Sequence, residues 1–359
     1  MRASWSSWLL APLHVAALAT GAKSFRDNPV IGSPTLNRAG LHIARVKLAR
    51  KATEWRRGRL TSLISDEDRA AFERDGFILK PNYLPASDYS ALRQQVLSFR
   101  GPARHQLQGD ALTRRMALDR HALSQLPALR GLLQSPEWLG LVRYVGSFML
   151  EPLVYIQTIF SQVRAAPPDP QTRLHADAFH PSVKAWYFLT DVAEDEGPFV
   201  YVPGSHRPTA RRLAWERNVS VGAAKCPDFQ SSRGSLRVSP AMVRRLGFGE
   251  PKVFAVPQNT LVVADTVGFH ARGLSARSSV RLEIWAYGRR NPFLPWLGLD
   301  LAAAPLIRGR AVPLYWSAVD LIEKLHLGGN PWRPAGILSP LQHPYPAFVP
   351  AADSAEVGA

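Results

Sequence analysis

The chain opens with an apolar run, Trp8 to Ala22 (WLLAPLHVAALATGA), broken by Pro12 and His14. A membrane-crossing helix needs roughly 20 apolar residues, so this run is short for a span. Between Gly40 and Arg59, Leu41, Ala44, Leu48, Ala52 and Trp55 recur at steps of three and four, which predicts a helix with one narrow apolar stripe. Arg45, Lys47, Arg50, Lys51 and Arg56 fall around its remaining faces. Ser65 followed by Asp68 is a capping-box pattern, and Asp66 and Glu67 suit the first turn of a helix that Gly76 ends. Phe77-Ile78-Leu79 then predicts a short strand. Ser87 predicts the cap of a second helix through Leu92 to Leu97, and Ser135-Pro136-Glu137 the start of another.

After residue 150 the texture becomes β. The segments LVYIQTIF, VKAWYFL, FVYV, KVFAV, TLVVA and SVRLEIWAY are separated by Pro, Gly, Asp and Ser. Helices first and many short strands later predict a mainly β fold, a sandwich or barrel supported by N-terminal helices. There is no internal repeat. The chain divides into an apolar and basic N-terminal segment (1–60), an ordered domain (61–292) and a Pro- and aromatic-rich extension (293–359). That extension reads as irregular apart from a helix near Ala318 to Leu327.

Composition narrows the class. With 359 residues the chain can bury a large core without covalent staples. Cys226 is its single cysteine, which excludes an internal disulfide, a Cys-based zinc site and a Cys-held iron–sulfur cluster. The 44 Lys and Arg against 28 Asp and Glu leave a formal charge of +16, which points to an anionic partner. A basic amphipathic helix beside a short apolar run reads as an interfacial anchor on anionic lipid. The competing reading is a solvated helix that packs its stripe on the domain. Ala17-Leu18-Ala19 resembles a signal-peptide cleavage site, but the residues before the run offer only Arg2, and the basic residues after it favour the cytoplasmic side. Nothing resembles a base-reading motif, so no nucleic-acid partner is expected.

The chemistry lies in the β region. His175 and Asp177, two apart, share one face of an extended strand. Ten histidines and 28 acids yield about one such pair by chance, so the pair needs company. His270 follows the strand-like TLVVAD. Two imidazoles and one carboxylate on one side of a metal leave three positions open, the facial arrangement of non-haem Fe(II) oxygenases. Alternation along SVRLEIWAY puts Arg281, Glu283, Trp285 and Tyr287 on one face and Val280, Leu282 and Ile284 on the other. An arginine aimed along the metal side of a barrel can clamp a carboxylate through two N–H donors. The alternative is an ordinary strand whose polar face happens to include Arg281.

The blocks ISDEDRAAFERDGFILKPNYL, HADAFHPSVKAWYFLTDVAEDEGPFVYVPGSHR and NTLVVADTVGFHARGLSARSSVR fall in one order over roughly residues 62 to 290. Together they resemble the phytanoyl-CoA dioxygenase family of Fe(II)/2-oxoglutarate-dependent oxygenases. The resemblance implies a double-stranded β-helix, a cupin-like jelly roll with flanking helices. It implies His175, Asp177 and His270 as iron ligands, Arg281 as the partner of the distal carboxylate of 2-oxoglutarate, and Trp186 beside that cosubstrate. Iron, 2-oxoglutarate and O2 are the implied cofactor and cosubstrates. Because Asp177 stands where halogenating relatives carry a small residue, hydroxylation is expected. His206 of Gly204-Ser205-His206 reads as structural, and His180 as a residue that either faces substrate or does not.

Substrate is less determined, because one fold hosts many functions. The basic N-terminus and the aromatic tail (Trp296, Tyr315, Trp316, Trp332) suggest work at an anionic membrane face. Arg173, Lys184, Arg289 and Arg290 are candidate contacts for phosphate or carboxylate. The combination is similar to the bacterial Kdo hydroxylases, which oxidise the sugar next to lipid A. That implies a peripheral protein on the cytoplasmic face of the inner membrane acting on a small-molecule or glycolipid substrate. A phytanoyl-CoA-like acyl-CoA or a small metabolite is the alternative within the chemistry. An inactive membrane-bound jelly-roll adaptor and a zinc hydrolase are the alternatives outside it.

Overall fold

The computed structural model describes residues 11–298, 300, 304 and 307–344. Arg2 and the start of the apolar run, Trp8 to Leu10, lie outside the described residues. Eleven strands among the described residues form two sheets, and every pairing is antiparallel. The larger runs β1 (Phe77–Lys80), β8 (Thr260–Asp265), β5 (Val183–Phe188), β10 (Ser279–Gly288), β4 (Leu153–Ser161), β3 (Ala111–Ala117), β2 (Gly101–Gln108), β11 (Arg333–Leu338). The smaller runs β7 (Lys252–Phe254), β6 (Phe199–Tyr201), β9 (His270–Arg272).

Period-two alternation assigns each strand's side chains to two different cores. Ala185, Tyr187, Leu261, Val263, Leu282, Ile284 and Ala286 pack with Trp138, Leu141 and Val145 of the covering helix Pro136–Gly146. Their neighbours Trp186, Phe188, Val262, Ala264 and Trp285 turn the other way and meet Phe199, Tyr201 and Phe254 of the small sheet. The two sheets therefore face each other in a jelly roll, with helices on the outside of the larger one. The space between the sheets houses the site.

The helix-start signals act as read in two of three cases. Ser65 Oγ accepts from Asp68 N, Ser135 Oγ accepts from Trp138 N, and Gly76 ends its helix in the left-handed region at φ 87°. Ser87 differs: its helix spans Ala86–Ser98 and begins after Pro85, so Ser87 lies inside the first turn. Proline has already set the entry angle there. The extension after residue 292 is more regular than its composition suggests. It carries a helix at Ala311–Lys324 and the edge strand β11, where Pro334 is tolerated beside a register shift before Ile337.

The basic helix exists as Leu41–Gly58, but its stripe does not face the domain. Leu48 and Trp55 are exposed, while His42, Arg45, Val46, Ala49, Thr53, Arg56 and Arg57 are buried. Arginine carries five donors and suits a polar, carbonyl-lined contact better than leucine does. Arg56 donates to the carbonyls of Ser147, Pro292 and Leu294, and lies 4.0 Å over the Phe148 ring. Arg57 donates to Tyr144 O and Val145 O and pairs with the buried Asp265 at 2.8 Å. Arg45 holds the carbonyls of Leu18, Thr20 and Ala22. Among the described residues no helix is long and apolar enough to cross a membrane.

Candidate metal centre and cavity

Backbone pairing builds the centre. His175 N donates to His270 O and His270 N to His175 O, both at 2.9 Å, so the two residues form a hydrogen-bonded antiparallel pair with side chains on one face. Asp177, two residues on, returns to that face, and its N–H is fixed on Thr266 O at 2.9 Å. The ligand-capable atoms of His175, Asp177 and His270 lie within 4.8 Å of one another.

Tautomers follow from the neighbours. His175 Nδ1 lies 2.8 Å from Arg173 O and His270 Nδ1 lies 2.9 Å from Gly268 O. A carbonyl can only accept, so each Nδ1 carries the proton and each Nε2 keeps its lone pair. Those two lone pairs then face Asp177 Oδ1 at 3.5 and 3.7 Å. Burial pushes both imidazole pKa values down, that of His270 to about 3, with the Asp177 charge opposing in each case. Burial also resists ionisation of Asp177, but Lys184 and the two imidazoles outweigh it and hold the carboxyl well below its usual range. Lys184 Nζ stands 2.6 Å from Asp177 Oδ2 without hydrogen-bond geometry, and His270 Nε2 has no hydrogen-bond partner. Two lone-pair nitrogens and a carboxylate, converging and incompletely satisfied, fit a divalent transition metal and leave one side of it open.

The centre opens into a cavity of about 630 Å³. Along its floor the inward face of β10 presents Arg281, Trp285 and Tyr287, and β10 pairs with β5 so that Trp285 opposes Trp186 and Tyr287 opposes Lys184. Arg281 is buried; its Nη1 donates to Gly197 O. Its Nε lies 3.0 Å from Glu283 Oε2, an ion-pair distance, yet both atoms lack a hydrogen bond. Burial lowers the guanidinium pKa and Glu283 opposes that shift. Glu283 Oε1 accepts from Gln157 Nε2, and Gln157 Oε1 accepts from Arg115 Nε at 2.7 Å. Arg115 is boxed by Trp285 at 3.9 Å and Trp332 at 4.5 Å. Trp186 lines the same cavity, stacked on Phe199 at 4.2 Å. Tyr315 and Trp316 of the C-terminal helix, with Trp332, contribute to the cavity wall.

The residues singled out in the sequence thus separate into two groups. His175, Asp177, His270, Arg281, Trp186, Lys184 and Arg289 line one cavity. Arg173 and Arg290 are taken up by Asp228 and Asp300 at 2.8 and 2.9 Å. His180 is buried outside the cavity, with Nδ1 on Pro181 O and its ring against Phe179. His206 is buried against Phe72, which suits an ordering role. Sequence reading missed Lys23, Arg115, Gln157 and the role of Glu283. Gln157 and Glu283 had a signal, each being a polar side chain beside apolar residues within a strand. Arg115 lay in a segment not read as a strand, and Lys23 is 154 positions from the Asp177 carbonyl it meets.

Residues 72–224 match the family described as phytanoyl-CoA dioxygenase. That stretch contains His175, Asp177 and Trp186 and stops before His270 and Arg281, which the fold brings to them. No curated protein matches the chain. Among solved structures, the non-haem α-ketoglutarate-dependent epimerase SnoN from nogalamycin biosynthesis aligns at 18% identity and TM-score 0.42, over 63% of this chain and 82% of its own. The carbocyclase SnoK from the same biosynthesis aligns at 20% and 0.38, over 64% and 84%. HygX from Streptomyces hygroscopicus, with nickel, 2-oxoglutarate and hygromycin B bound, aligns at 14% and 0.37, over 63% and 88%. Residues 72–224 thus carry a phytanoyl-CoA dioxygenase family domain, and that family is one of non-haem enzymes that use Fe(II), 2-oxoglutarate and O2.

Proposed function

We propose that the protein hydroxylates an aliphatic carbon of an anionic, membrane-associated substrate, with the Kdo sugar beside lipid A as the working candidate. The observation that carries hydroxylation is the complete donor set, in which Asp177 supplies the carboxylate between the two imidazoles. His175, Asp177 and His270 would hold iron, and Arg281 would take the distal carboxylate of 2-oxoglutarate. When bound, the iron and 2-oxoglutarate supply the O2-dependent oxidation. The chain's own residues bind, orient and exclude. The carbonyls of Arg173 and Gly268 keep each imidazole in its metal-binding tautomer. Glu283 and Gln157 hold Arg281 and Arg115 in place along the floor, and Trp186, Phe199 and Trp285 keep water from the reacting region.

An anionic substrate is supported by the cavity wall, where Lys23, Arg115, Lys184 and Arg289 outnumber the carboxylate of Asp177, while Arg272 and Arg281 are paired with Asp169 and Glu283. Membrane association is supported by two surfaces, and the proposed location is the cytoplasmic face of the inner membrane. Leu48 and Trp55 stand outward on the basic helix among exposed Lys47, Lys51 and Arg59. Leu314, Leu321, Ile322, Leu325 and Leu327 are exposed on and just beyond the C-terminal helix, which also contributes to the cavity wall. The same cations also suit the phosphates of an acyl-CoA, the second reading.

The test is mass spectrometry of lipid and lipopolysaccharide fractions from cells expressing wild type or Asp177→Ala. One added oxygen on the inner-core sugar with wild type alone is the expected result. No added oxygen in any membrane fraction would discard the glycolipid substrate in favour of a soluble one.

A further inference from the structure

Arg281 and Arg289 share the inward face of β10 and its continuation, eight residues and about 26 Å apart at an extended rise. Around the Arg289 end gather two more cations. Lys184 opposes Tyr287 across the sheet and reaches Asp177 Oδ2. Lys23 arrives from the N-terminal segment and donates to Asp177 O at 2.5 Å. Arg289 is exposed and makes no ion pair with a carboxylate among the described residues. Asp177 is also the carboxylate of the donor set, so a metal held there adds positive charge to the same corner.

The position of Lys23 is built. Arg45 grips the preceding carbonyls of Leu18, Thr20 and Ala22, and Arg26 N donates to Ser232 O on the other side. Gly234, at φ 82°, lies so close that a Cβ would sit 2.2 Å from Lys23 O. A strap clamped at both ends thus presses a lysine into a corner where Lys184 and Arg289 already outnumber the one carboxylate, Asp177, so that a further anion relieves the excess of positive charge.

We infer that Lys23, Lys184 and Arg289 form an oxyanion subsite that holds a carboxylate or phosphate group of the substrate beside the metal centre, with the N-terminal strap supplying Lys23. The inference rests on reading the cavity as a substrate pocket; it does not depend on which carbon is oxidised. The group comes either from a soluble anion or from a lipid headgroup, and two probes distinguish them. Full-length protein, kept anaerobic with Fe(II) and excess 2-oxoglutarate so that the Arg281 end is filled, is titrated with inorganic phosphate and, separately, with phosphatidic acid in phosphatidylcholine vesicles.

Lys23→Gln and Arg289→Gln should each weaken binding of at least one probe about tenfold, the loss of one charge-assisted hydrogen bond, and Arg289→Lys should keep most of it. Arg45→Leu, which releases the strap, should match Lys23→Gln. Weakening with phosphate identifies a soluble anion, and weakening with vesicles alone a headgroup. Unchanged affinity for both probes in Lys23→Gln and Arg289→Gln, or no saturable binding of either probe to wild type, overturns the subsite. The visible iron–2-oxoglutarate charge-transfer band is recorded in the same samples. Its absence beside a variant-sensitive titration would count against the iron reading and leave the subsite standing.

Discussion

At the scale of single residues, the centre is organised by where protons are forbidden. The carbonyls of Arg173 and Gly268 take the Nδ1 protons, so both Nε2 lone pairs face Asp177 Oδ1, at 3.5 and 3.7 Å. That arrangement is repulsive until a cation enters. His175→Ala removes one of three donors, and the expected result is a loss of Fe(II) affinity beyond the 10–100-fold typical of outer-shell changes, with no visible band on anaerobic addition of Fe(II) and 2-oxoglutarate. An unchanged band would mean a different ligand set, and a wild-type protein with no band would favour the zinc alternative. Arg281 tests the other end of the cosubstrate. Its Nε lies 3.0 Å from Glu283 Oε2 and its Nη1 donates to Gly197 O, so an arriving carboxylate meets a guanidinium whose orientation is already fixed. Arg281→Gln should raise the 2-oxoglutarate concentration giving half the band by roughly 100-fold, as expected for a lost two-point contact, and Arg281→Lys should not restore it. A variant that saturates at the wild-type concentration would assign the clamp elsewhere.

Elements were legible where a strand keeps an apolar face and aromatic or β-branched residues along it. VKAWYF, TLVVAD and SVRLEIWAY read as strands because one face meets the helices and the other an aromatic interior. GPARHQLQ and ALTRRMA did not, because their inward faces put Gln106, Gln108, Thr113 and Arg115 into the cavity and so lack the apolar alternation of a core strand. The donor set was legible for a related reason: His175 and Asp177 are two apart on extended backbone, and His270 sits at the start of a strand. Lys23 was not, since only the tertiary fold carries the strap to Asp177. The basic helix was placed correctly, and its apolar stripe faces outward rather than onto the domain as the competing reading has it, because carbonyl-rich surface attracts arginine rather than leucine. One contact that fixes this helix has a pH signature. Glu216, 3% exposed, accepts from Arg212 at 2.8 Å and lies 3.0 Å from His42 Nε2 of the basic helix. Burial opposes its ionisation, yet Arg212 and His42 bring its pKa down to about 2. A depressed carboxyl pKa stabilises the fold fully above the unfolded value near 4.5, and that contribution disappears as pH falls towards 2. Glu216→Gln should therefore lower unfolding free energy by about 3 kcal/mol at pH 7, and wild type and variant should converge near pH 2 in urea titrations. A gap of the same size at both pH values would assign the loss to packing instead.

At the scale of the whole molecule, the formal +16 overstates the charge available to a partner. Arg45, Arg56, Arg57 and Arg114 spend their donors on internal carbonyls, and the last of these pins Ser339 and Pro340 beyond β11. Part of the positive charge left outside lies beside exposed apolar side chains: Lys47, Lys51 and Arg59 around Leu48 and Trp55, and Lys324 among Leu321, Ile322 and Leu325. That pairing suits an anionic bilayer, since the apolar groups enter the interface while the ammonium and guanidinium groups remain at headgroup depth. Deleting residues 1–59 would be a poor test, because it strips Arg57 from buried Asp265 and Lys23 from the cavity along with the surface in question. Substitution is cleaner. Leu48→Asp with Trp55→Asp, and separately Leu321→Asp with Leu325→Asp, alter exposed positions only, so folding should be unchanged while each pair forfeits the burial of two large apolar groups, about 1.5–3 kcal/mol apiece. Sedimentation with vesicles of equal phosphatidylglycerol and phosphatidylcholine should then fall at least about tenfold for each pair, with phosphatidylcholine alone capturing little of any form. Equal sedimentation of wild type and both variants would remove the membrane from the account, and the cations of the cavity would then have to be explained by a soluble anionic substrate.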